Sequence, residues 1–301
     1  MRIIFCSDYW NRLAPDPAYQ AEADAAAKLR LDYSLINFEA LSEQQNAARA
    51  VSKVEPAASP EVAIYRGWML KPQVYERLYA ALAQKGLVLI NTPAAYKHCH
   101  YLPESYHIIE GYTPESIWIK AETGMQMDDI MVRLRVFGNK PIIVKDFVKS
   151  RKHEWNEACY IPSASNRDAV ERVVTRFLLL QGEDLNEGLV FREFSEFEPL
   201  TVHSKSGMPL TKEFRLFVLD GRIILTTEYW EDGDYGADRK VSPPLDAFRQ
   251  VAQKVQSRFF TLDVALKKDG TWSIIEPGDA QVAGLPEKTD VNAFYQALAT
   301  L

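Results

Sequence analysis

Cysteine and long apolar runs are scarce in this sequence of 301 residues. Its three cysteines, Cys6, Cys99 and Cys159, are odd in number and form no CxxC pair, which argues against a disulfide framework. Ser7 and Asp8 interrupt the apolar start RIIFC, so this segment does not have the pattern of a signal peptide. No apolar stretch reaches the length that spans a bilayer. We therefore expect a cytoplasmic protein with no membrane partner.

Several motifs of well-known catalytic sites are also missing. The 14 glycines contain neither GxGxxG nor GxxxxGK, which argues against a Rossmann or a Walker phosphate loop. There is no HExxH and no GxSxG. The run His98-Cys99-His100 has no second Cys/His pair nearby, so we interpret it as part of a polar loop and not as a metal site.

The charge balance is mildly acidic. The formal net charge is −6 and the isoelectric point is about 5.5, which argues against nonspecific binding of nucleic acid. With 47% hydrophobic residues, the chain is long enough to form two lobes with cores of their own.

The first ninety residues alternate between strand and helix patterns. This alternation predicts a small parallel α/β domain. The predicted strands are 2–6, 33–38, 62–65 and 87–90, and the predicted helices are 18–30 and 72–84.

The pattern then changes to antiparallel α+β. Asp220-Gly221 between two apolar runs predicts a tight hairpin, and Lys268-Asp269-Gly270 predicts a second one. The strands are expected at 142–148, 189–194, 213–219, 222–227, 261–266 and 272–275, and the helices at 125–137, 167–180 and 245–259.

The C-terminal hairpin carries the strongest candidate site. Asp263 lies within the apolar run FFTLDVAL, and Glu276 ends the partner strand WSIIE. Both are about equally far from the turn, so they can meet near the open end of the hairpin, and Asp279 follows. Carboxylates that crowd one sheet edge suit a hard cation such as Mg²⁺. The alternative is that Asp263 and Glu276 are ordinary strand residues.

A basic group follows the strand at 142–148. Lys145 lies between apolar neighbours in IIVKDFV, where burial without an anion is costly, and phosphate is a natural partner. Lys149, Arg151, Lys152 and His153 follow within the next residues. These four could instead form a solvated basic turn.

Glu213 and Arg215 alternate with apolar residues in KEFRLFV, so both charges share one face of the strand. They could form an ordinary surface ion pair. On the same sheet as the carboxylates, however, Arg215 could stabilise a transferring phosphoryl group.

Taken in this order, the motifs resemble the ATP-grasp superfamily. The segments VKDFVKSRKHEW, LVFREF, KEFRLFV and IIEPGDAQVAGLP are similar to its divergent clade that includes the eukaryotic assembly chaperone of translation initiation factor two. The resemblance implies an α/β plus α+β chain with the ATP-grasp fold, in which two α+β lobes clamp ATP. It implies an N-terminal domain at 1–95, a small lobe at 96–190 and a large lobe with the metal site at 191–301.

The resemblance also implies roles for single residues, with ATP and Mg²⁺ as cofactors. Lys145, helped by Lys149, would contact the ATP phosphates. Arg192, Glu193 and Phe194 would form a hinge whose backbone reads the adenine edge. Relatives carry Asn two residues after the metal-binding Glu, where this chain has Gly278, so Asp279 would replace it as third ligand. The other implied roles are metal binding for Asp263 and Glu276, catalysis for Arg215 and Lys145, and nucleotide contact for Glu213 and Arg215.

The implied activity is ATP-dependent ligation of a carboxylate to an amine through an acyl-phosphate, on a small molecule, a peptide or a protein. Two alternatives stay open: a non-catalytic Mg-ATP-binding assembly factor, and an ATP-dependent phosphotransferase.

Overall fold

The computed structural model describes residues 1–121, 125–203, 207–231, 233, 235 and 241–301. Within these ranges the strands form three four-stranded sheets and one two-stranded ribbon. The three sheets follow one another along the chain, and we refer to them as the first, second and third sheet.

The first sheet is parallel, as the alternating pattern predicts. Its strand order is β2-β1-β3-β4, and every neighbouring pair runs in the same direction. Helices fill the connections because parallel strands need crossover segments. The strands are β1 (Arg2–Cys6), β2 (Asp32–Ile36), β3 (Glu61–Arg66) and β4 (Leu87–Leu89), and the helices are α1 (Gln20–Lys28), α2 (Phe38–Ser42), α3 (Ala47–Ala50) and α4 (Pro72–Ala83).

Two short helices, α5 (Pro93–His100) and α6 (Leu102–Ile109), lead from the first sheet to the second. The side chain of Thr92 accepts a hydrogen bond from the backbone N–H of Ala95, and Pro93 opens the first turn, which together start α5. The expectation of a polar loop at 98–100 is therefore wrong: these residues close a helix, and all three are buried.

The second sheet is antiparallel, with the order β5-β8-β6-β7. Gly188 allows β8 to approach β5 closely, because a Cβ atom there would lie 2.1 Å from the carbonyl oxygen of Ile119. The elements are β5 (Ser116–Lys120), α7 (Met127–Leu134), β6 (Ile142–Asp146), α8 (Trp155–Ala158), β7 (Tyr160–Ile161), α9 (Arg167–Gln181) and β8 (Gly188–Glu193).

The third sheet is antiparallel with the order β12-β11-β13-β14, and a ribbon of β9 and β10 precedes it. Both predicted hairpins are present. Asp220 and Gly221 have φ angles of 47° and 72°, as a type I′ turn requires. The elements are β9 (Pro199–Val202), β10 (Pro209–Thr211), β11 (Glu213–Leu219), β12 (Arg222–Glu228), α10 (Leu245–Ala252), β13 (Phe259–Leu266), β14 (Trp272–Asp279) and α11 (Val291–Leu298).

The predicted helix at 245–259 is too long. Helix α10 ends at Ala252, and the buried Phe259 already begins β13. Apolar residues at helical spacing continue up to Val255, which packs in the same core and extends the helical pattern past the true end of the helix.

The first and third sheets share one apolar core. Phe5 of β1, Phe217 of β11 and Phe259 of β13 belong to the same buried cluster as Phe294 of α11. Arg66 at the end of β3 is fully buried and binds Glu22 through Nε at 2.7 Å. The first sheet is therefore fixed against the third, while the second sheet has a core of its own with α7 and α9.

The proposed division of the chain at 95 and 190 stays a prediction. Strand β8 belongs to the second sheet from Gly188 to Glu193, so a boundary after residue 190 would cross a strand. None of the helices in the described ranges has both the length and the apolar character that crossing a membrane requires.

Candidate active site

Three neighbouring strands of the third sheet place charged side chains in one row. Arg215 on β11 pairs with Asp263 on β13, and Asp263 pairs with Glu276 on β14. Directly paired residues of antiparallel strands project to the same face. The row therefore brings together the predicted carboxylates Asp263 and Glu276, as the hairpin spacing indicates.

Each carboxylate of this row is bound by a basic side chain. Arg215 holds Asp263 through two parallel hydrogen bonds, from Nε to Oδ1 at 2.8 Å and from Nη2 to Oδ2 at 2.7 Å. Lys145 of β6 donates from Nζ to Oε2 of Glu276 and so connects the second sheet with the third. Asp263 and Lys145 are buried, whereas about a third of the Glu276 side chain, 34%, is exposed.

A cleft of about 670 Å³ opens between the second and third sheets above this row. This volume is in the range of pockets that bind small molecules and cofactors. All seven residues predicted to contact the nucleotide line the cleft, and they are Lys145, Lys149, Arg192, Glu193, Phe194, Glu213 and Arg215.

The character of the cleft changes along β6 and β8. Lys145 lies beside the charged row, whereas Ile143 lies two residues earlier on β6 and Phe194 directly follows β8. Trp155 lies with its ring centroid 6.0 Å from that of Phe194, and the ribbon adds Pro199. The cleft thus joins an apolar, aromatic part to a charged part, which suits a flat heterocycle attached to phosphates.

Sequence reasoning missed Asp146, which organises the loop after Lys145. Its carboxylate accepts hydrogen bonds from the backbone N–H of Val148 at 2.7 Å, from Gln181 Nε2 at 2.7 Å and from Asn186 Nδ2 at 2.8 Å. Asp146 is completely buried, and its neighbour Lys145 faces the cleft. The run IIVKDFV does contain a signal for Asp146, because this second charge inside an apolar strand also needs a partner.

The basic loop at 149–153 is not only a solvated turn. Lys149, Lys152 and His153 line the cleft, and Lys152 Nζ lies 4.8 Å from the ring centre of Trp230. Arg151 instead donates to the backbone carbonyl of Leu180. Trp230 could not be identified from the sequence, because nothing local marks the residues after β12 as facing a basic loop.

The electrostatic environment of the carboxylates is set by burial and by the basic residues. Burial opposes ionisation of Glu276, but the charge and hydrogen bond of Lys145 outweigh it and lower the pKa of Glu276. Burial raises the pKa of Asp263, and Arg215 offsets only part of that rise. Glu213 is buried near both carboxylates, and burial followed by their negative charges raises its pKa to about 8.

Arg192 is a buried cation whose pKa falls to about 10, mainly through burial. Its Nη2 donates to Thr113 Oγ1, and its Nε is buried without a partner among the described residues. An anionic ligand in the cleft would supply the negatively charged partner that Arg192 lacks among the described residues.

The hinge at Arg192, Glu193 and Phe194 stays a prediction, but two of its backbone N–H groups are engaged within the protein. The backbone N–H of Glu193 donates to the carbonyl of Glu115 at 2.8 Å, and that of Phe194 donates to Pro141 at 2.9 Å. Neither N–H is available to read the edge of a heterocycle. Ser195 and Glu196, which also line the cleft, are the next backbone positions along the chain.

Asp279 does not join the predicted group of three carboxylates. It lies three residues after Glu276 on β14, so its side chain projects to the opposite face. Oδ2 accepts a hydrogen bond from Asn91 Nδ2 at 2.6 Å, and Oδ1 accepts one from the backbone N–H of Gln281 at 2.9 Å. Burial raises the pKa of Asp279 to about 7 despite these hydrogen bonds.

Asp263 and Glu276 still fit a magnesium ion. In the part of the chain that the structure describes, no three His, Cys, Asp or Glu side chains converge as a metal-binding group. Mg²⁺ needs fewer protein ligands than that, because it is commonly held by one or two carboxylates together with waters and substrate phosphates. The chemistry of this donor pair therefore suits Mg²⁺ that arrives with a nucleotide.

A small second pocket of about 90 Å³ adjoins the charged end of the cleft. Arg215 and Glu276 line both spaces, and so does Met69 from the loop after β3. His100 of α5 and Val282 form part of the remaining wall. Arg215 is thus accessible from two sides, and it could face a phosphate in the cleft and a second reactant in the small pocket.

A family model described as ATP-grasp domain, R2K clade family 3, matches residues 136–298, which is more than half of the chain. A sequence comparison with curated proteins finds no match.

Several solved structures have a similar fold at low sequence identity. D-cycloserine synthetase DcsG has a TM-score of 0.60 at 12% identity, over 100% of this chain and 99% of that one. The ATP-grasp ligase PsnB, complexed with minimal precursor, Mg and ADP, has a TM-score of 0.58 at 12% identity, over 99% and 96%. D-alanyl-alanine synthetase A from Vibrio cholerae has a TM-score of 0.56 at 10% identity, over 100% and 98%. These likenesses confirm the predicted fold class.

Proposed function

The chain belongs to the ATP-grasp domain family of the R2K clade, family 3, and we propose that it is an ATP-dependent ligase joining a carboxylate to an amine. The proposal rests on one observation above all. Lys145 and Arg215 hold Glu276 and Asp263 where a cleft that is otherwise rich in basic residues meets the small pocket. When the phosphates of a nucleotide bind the two basic side chains, the two carboxylates become free to bind a cation.

In the proposed complex the adenine lies against Phe194 and Trp155, and its edge faces the backbone at Ser195 and Glu196. Lys145, with Lys149, binds the phosphates of the tail. Asp263 and Glu276 hold Mg²⁺, which when bound neutralises phosphate charge. Arg192 adds a buried cation whose Nε has no partner among the described residues, and a phosphate in the cleft would supply one.

The proposed reaction has two steps that conserve atoms and charge. An acceptor carboxylate oxygen attacks the γ-phosphorus, the bond to the β-phosphate oxygen breaks, and ADP leaves. An amine then attacks the acyl carbon, its nitrogen gives up a proton to the departing phosphate or to water, and inorganic phosphate leaves as the amide forms. Arg215 stabilises the negative charge on the transferring phosphoryl group, because a fixed cation costs no reorganisation at that moment.

The acceptor is a small molecule or a peptide or protein. The solved structures of similar fold include one complexed with a precursor peptide and one of a D-cycloserine synthetase. Both kinds of acceptor carry a carboxylate that could enter the small pocket beside Arg215.

The test is acceptor-stimulated release of ADP and phosphate from Mg-ATP, with amino acids and short peptides as carboxylate and amine donors. We expect release only when both a carboxylate and an amine are present. Arg215→Lys should lower turnover more than ATP affinity, because the charge stays but the fork geometry is lost. ADP formed together with a stable phosphorylated product would identify a phosphotransferase, and tight ATP binding without turnover would identify a binding factor.

A further inference from the structure

The loop between β1 and α1 is held rigidly although it lies at the surface. Ser7 forms a β-bridge with Pro15, and the backbone N–H of Asp8 donates to the carbonyl of Ala14 at 2.9 Å. The Asp8 carboxylate accepts a hydrogen bond from the backbone N–H of Trp10 at 2.8 Å. These contacts fix the backbone, so the loop presents its side chains in a defined arrangement.

The side chains that this loop presents are large and apolar. Trp10 is 88% exposed, Leu13 81% and Tyr9 56%. Trp68 and Met69, in the loop after β3, are also exposed. We call these five side chains the aromatic surface. Clustered exposed apolar groups on a rigid support are typical of binding sites, and Trp and Tyr are the residues that contribute most to interfaces.

The aromatic surface is continuous with the reactive end of the cleft. Trp68 Nε1 donates to Asp16 Oδ2 at 2.9 Å, which joins the loop after β3 to the loop that carries Trp10. The next residue, Met69, lines both the cleft and the small pocket beside Arg215. A molecule that extends out of the small pocket past Met69 therefore meets Trp68, beside the loop that carries Trp10 and Leu13.

The size of the small pocket limits what can fill it. Its volume of about 90 Å³ is about that of three liquid water molecules. This is enough for the carboxylate end of one side chain and too little for a whole drug-sized ligand. The rest of a larger acceptor therefore lies outside the small pocket, and Met69 of the aromatic surface forms part of the wall that it passes.

Given the proposed ligase function, we propose that the acceptor is a side-chain carboxylate of a peptide chain, and that apolar residues flanking it bind the aromatic surface. Arg215 receives the carboxylate, and Trp10 and Leu13 bind neighbouring apolar side chains. A free amino acid would fill the small pocket without contacting Trp10. The aromatic surface thus selects the acceptor by its sequence context.

The probe is a synthetic pool of 12-residue peptides, blocked at both ends, with a central Glu or Asp and randomised flanks. Affinity selection on the wild-type protein, read by mass spectrometry, should enrich apolar residues beside the acidic one. Trp10→Ser with Leu13→Ser should weaken binding of the selected peptides about tenfold or more. The control pair is Leu179→Ser with Val132→Ser, which changes exposed apolar residues on α9 and α7 and should leave peptide binding unchanged.

The outcomes separate this inference from the ligase function. Unchanged peptide binding by the Trp10→Ser, Leu13→Ser protein would overturn it. The inference would also be overturned if free glutamate or aspartate stimulated ADP release while no peptide of the pool bound. The ligase function would stand in that case. A dimer of the wild-type protein that the loop variant dissolves, without peptide binding, would show instead that the aromatic surface joins two copies. Peptide binding lost in the loop variant, with no ADP release from any acceptor, would support the docking surface and refute ligation.

Discussion

Two ion pairs, one buried and one partly buried, determine how the candidate site can bind its ligands. Taking Lys145, Glu276, Arg215 and Asp263 partly out of water carries a desolvation cost, and each pair offsets that cost only while its geometry is kept. A phosphate can replace the carboxylate as the partner of each basic side chain, and Mg²⁺ can replace the basic side chain as the partner of each carboxylate. The pairs therefore keep the charges in position before a nucleotide binds, and a change at one member affects the other.

The first prediction concerns the metal ligands. Asp263→Asn with Glu276→Gln should abolish the part of ATP affinity that depends on Mg²⁺, because neutral amides are poor ligands for this cation. Isothermal titration calorimetry with and without Mg²⁺ measures this difference. The exposed carboxylate Asp246 provides the control Asp246→Asn, and circular dichroism checks that the fold is kept. Equal Mg²⁺ dependence in the double variant and wild-type protein would refute the metal assignment.

The second prediction concerns Lys145. Lys145→Ala would remove the proposed phosphate contact and leave Glu276 without its partner, so ATP affinity should fall about 10- to 100-fold. Lys254→Ala, at an exposed position after α10, should bind ATP like the wild type. If the Lys145 variant bound ATP normally, the phosphates would have to lie elsewhere in the cleft.

Among the structural elements, β6 and the loop after it contribute most to the site. Lys145 faces the cleft, and the next residue, Asp146, is buried on the other face, where it binds the loop backbone and the segment before β8. The position of Lys149 and Lys152 thus depends on a residue that itself lies outside the cleft. One strand supplies both a cation that lines the cleft and the support for the loop.

The third prediction tests that support. Asp146→Ala would leave several buried donors without an acceptor, which should cost on the order of 2–4 kcal/mol of stability. Hydrogen exchange at the amide of Val148 should speed up, and ATP affinity should fall although no ligand contact is changed. Chemical denaturation measures the stability loss. An unchanged exchange rate at Val148 would show that the loop is held by other contacts.

At the scale of the whole molecule, the first and third sheets form one body across a shared core, whereas the second sheet meets the third around the cleft. Asn91, just after β4, donates to Asp279 on β14, and Arg66 donates to the carbonyl of Ala283 at 2.8 Å. These contacts hold the first sheet, with its aromatic surface, next to the small pocket. The carboxylate of Asp279 is therefore part of the connection between two sheets.

The fourth prediction is the pH dependence of this connection. Burial raises the folded-state pKa of Asp279 to about 7, above the value of about 3.9 in an unfolded chain. Folding therefore takes up a proton between these values, and the contribution of Asp279 to stability is complete below about pH 4 and is lost as the pH rises through about 7. Asp279→Asn cannot titrate. The melting temperature of wild-type protein relative to this variant should fall from about pH 5 to about pH 8, and a constant difference would contradict the shifted pKa.

The sequence by itself determined the kinds of element and much of the charged row. Alternating patterns and turn residues are local signals, so the parallel first sheet, both hairpins and the meeting of Asp263 with Glu276 could be predicted. Lys145 and Arg215 were identifiable because a charge inside an apolar strand needs a partner. The end of α10 was not, because an apolar pattern at helical spacing extends beyond it.

Only the tertiary structure decided which partner each charge has. Asp279 follows Glu276 closely in sequence, but strand alternation turns it toward Asn91, so it joins the connection to the first sheet and not the metal pair. Trp230 meets Lys152, and Met69 reaches the small pocket, through contacts between distant segments. Such contacts depend on how sheets pack, and packing joins residues whose positions along the chain carry no common pattern.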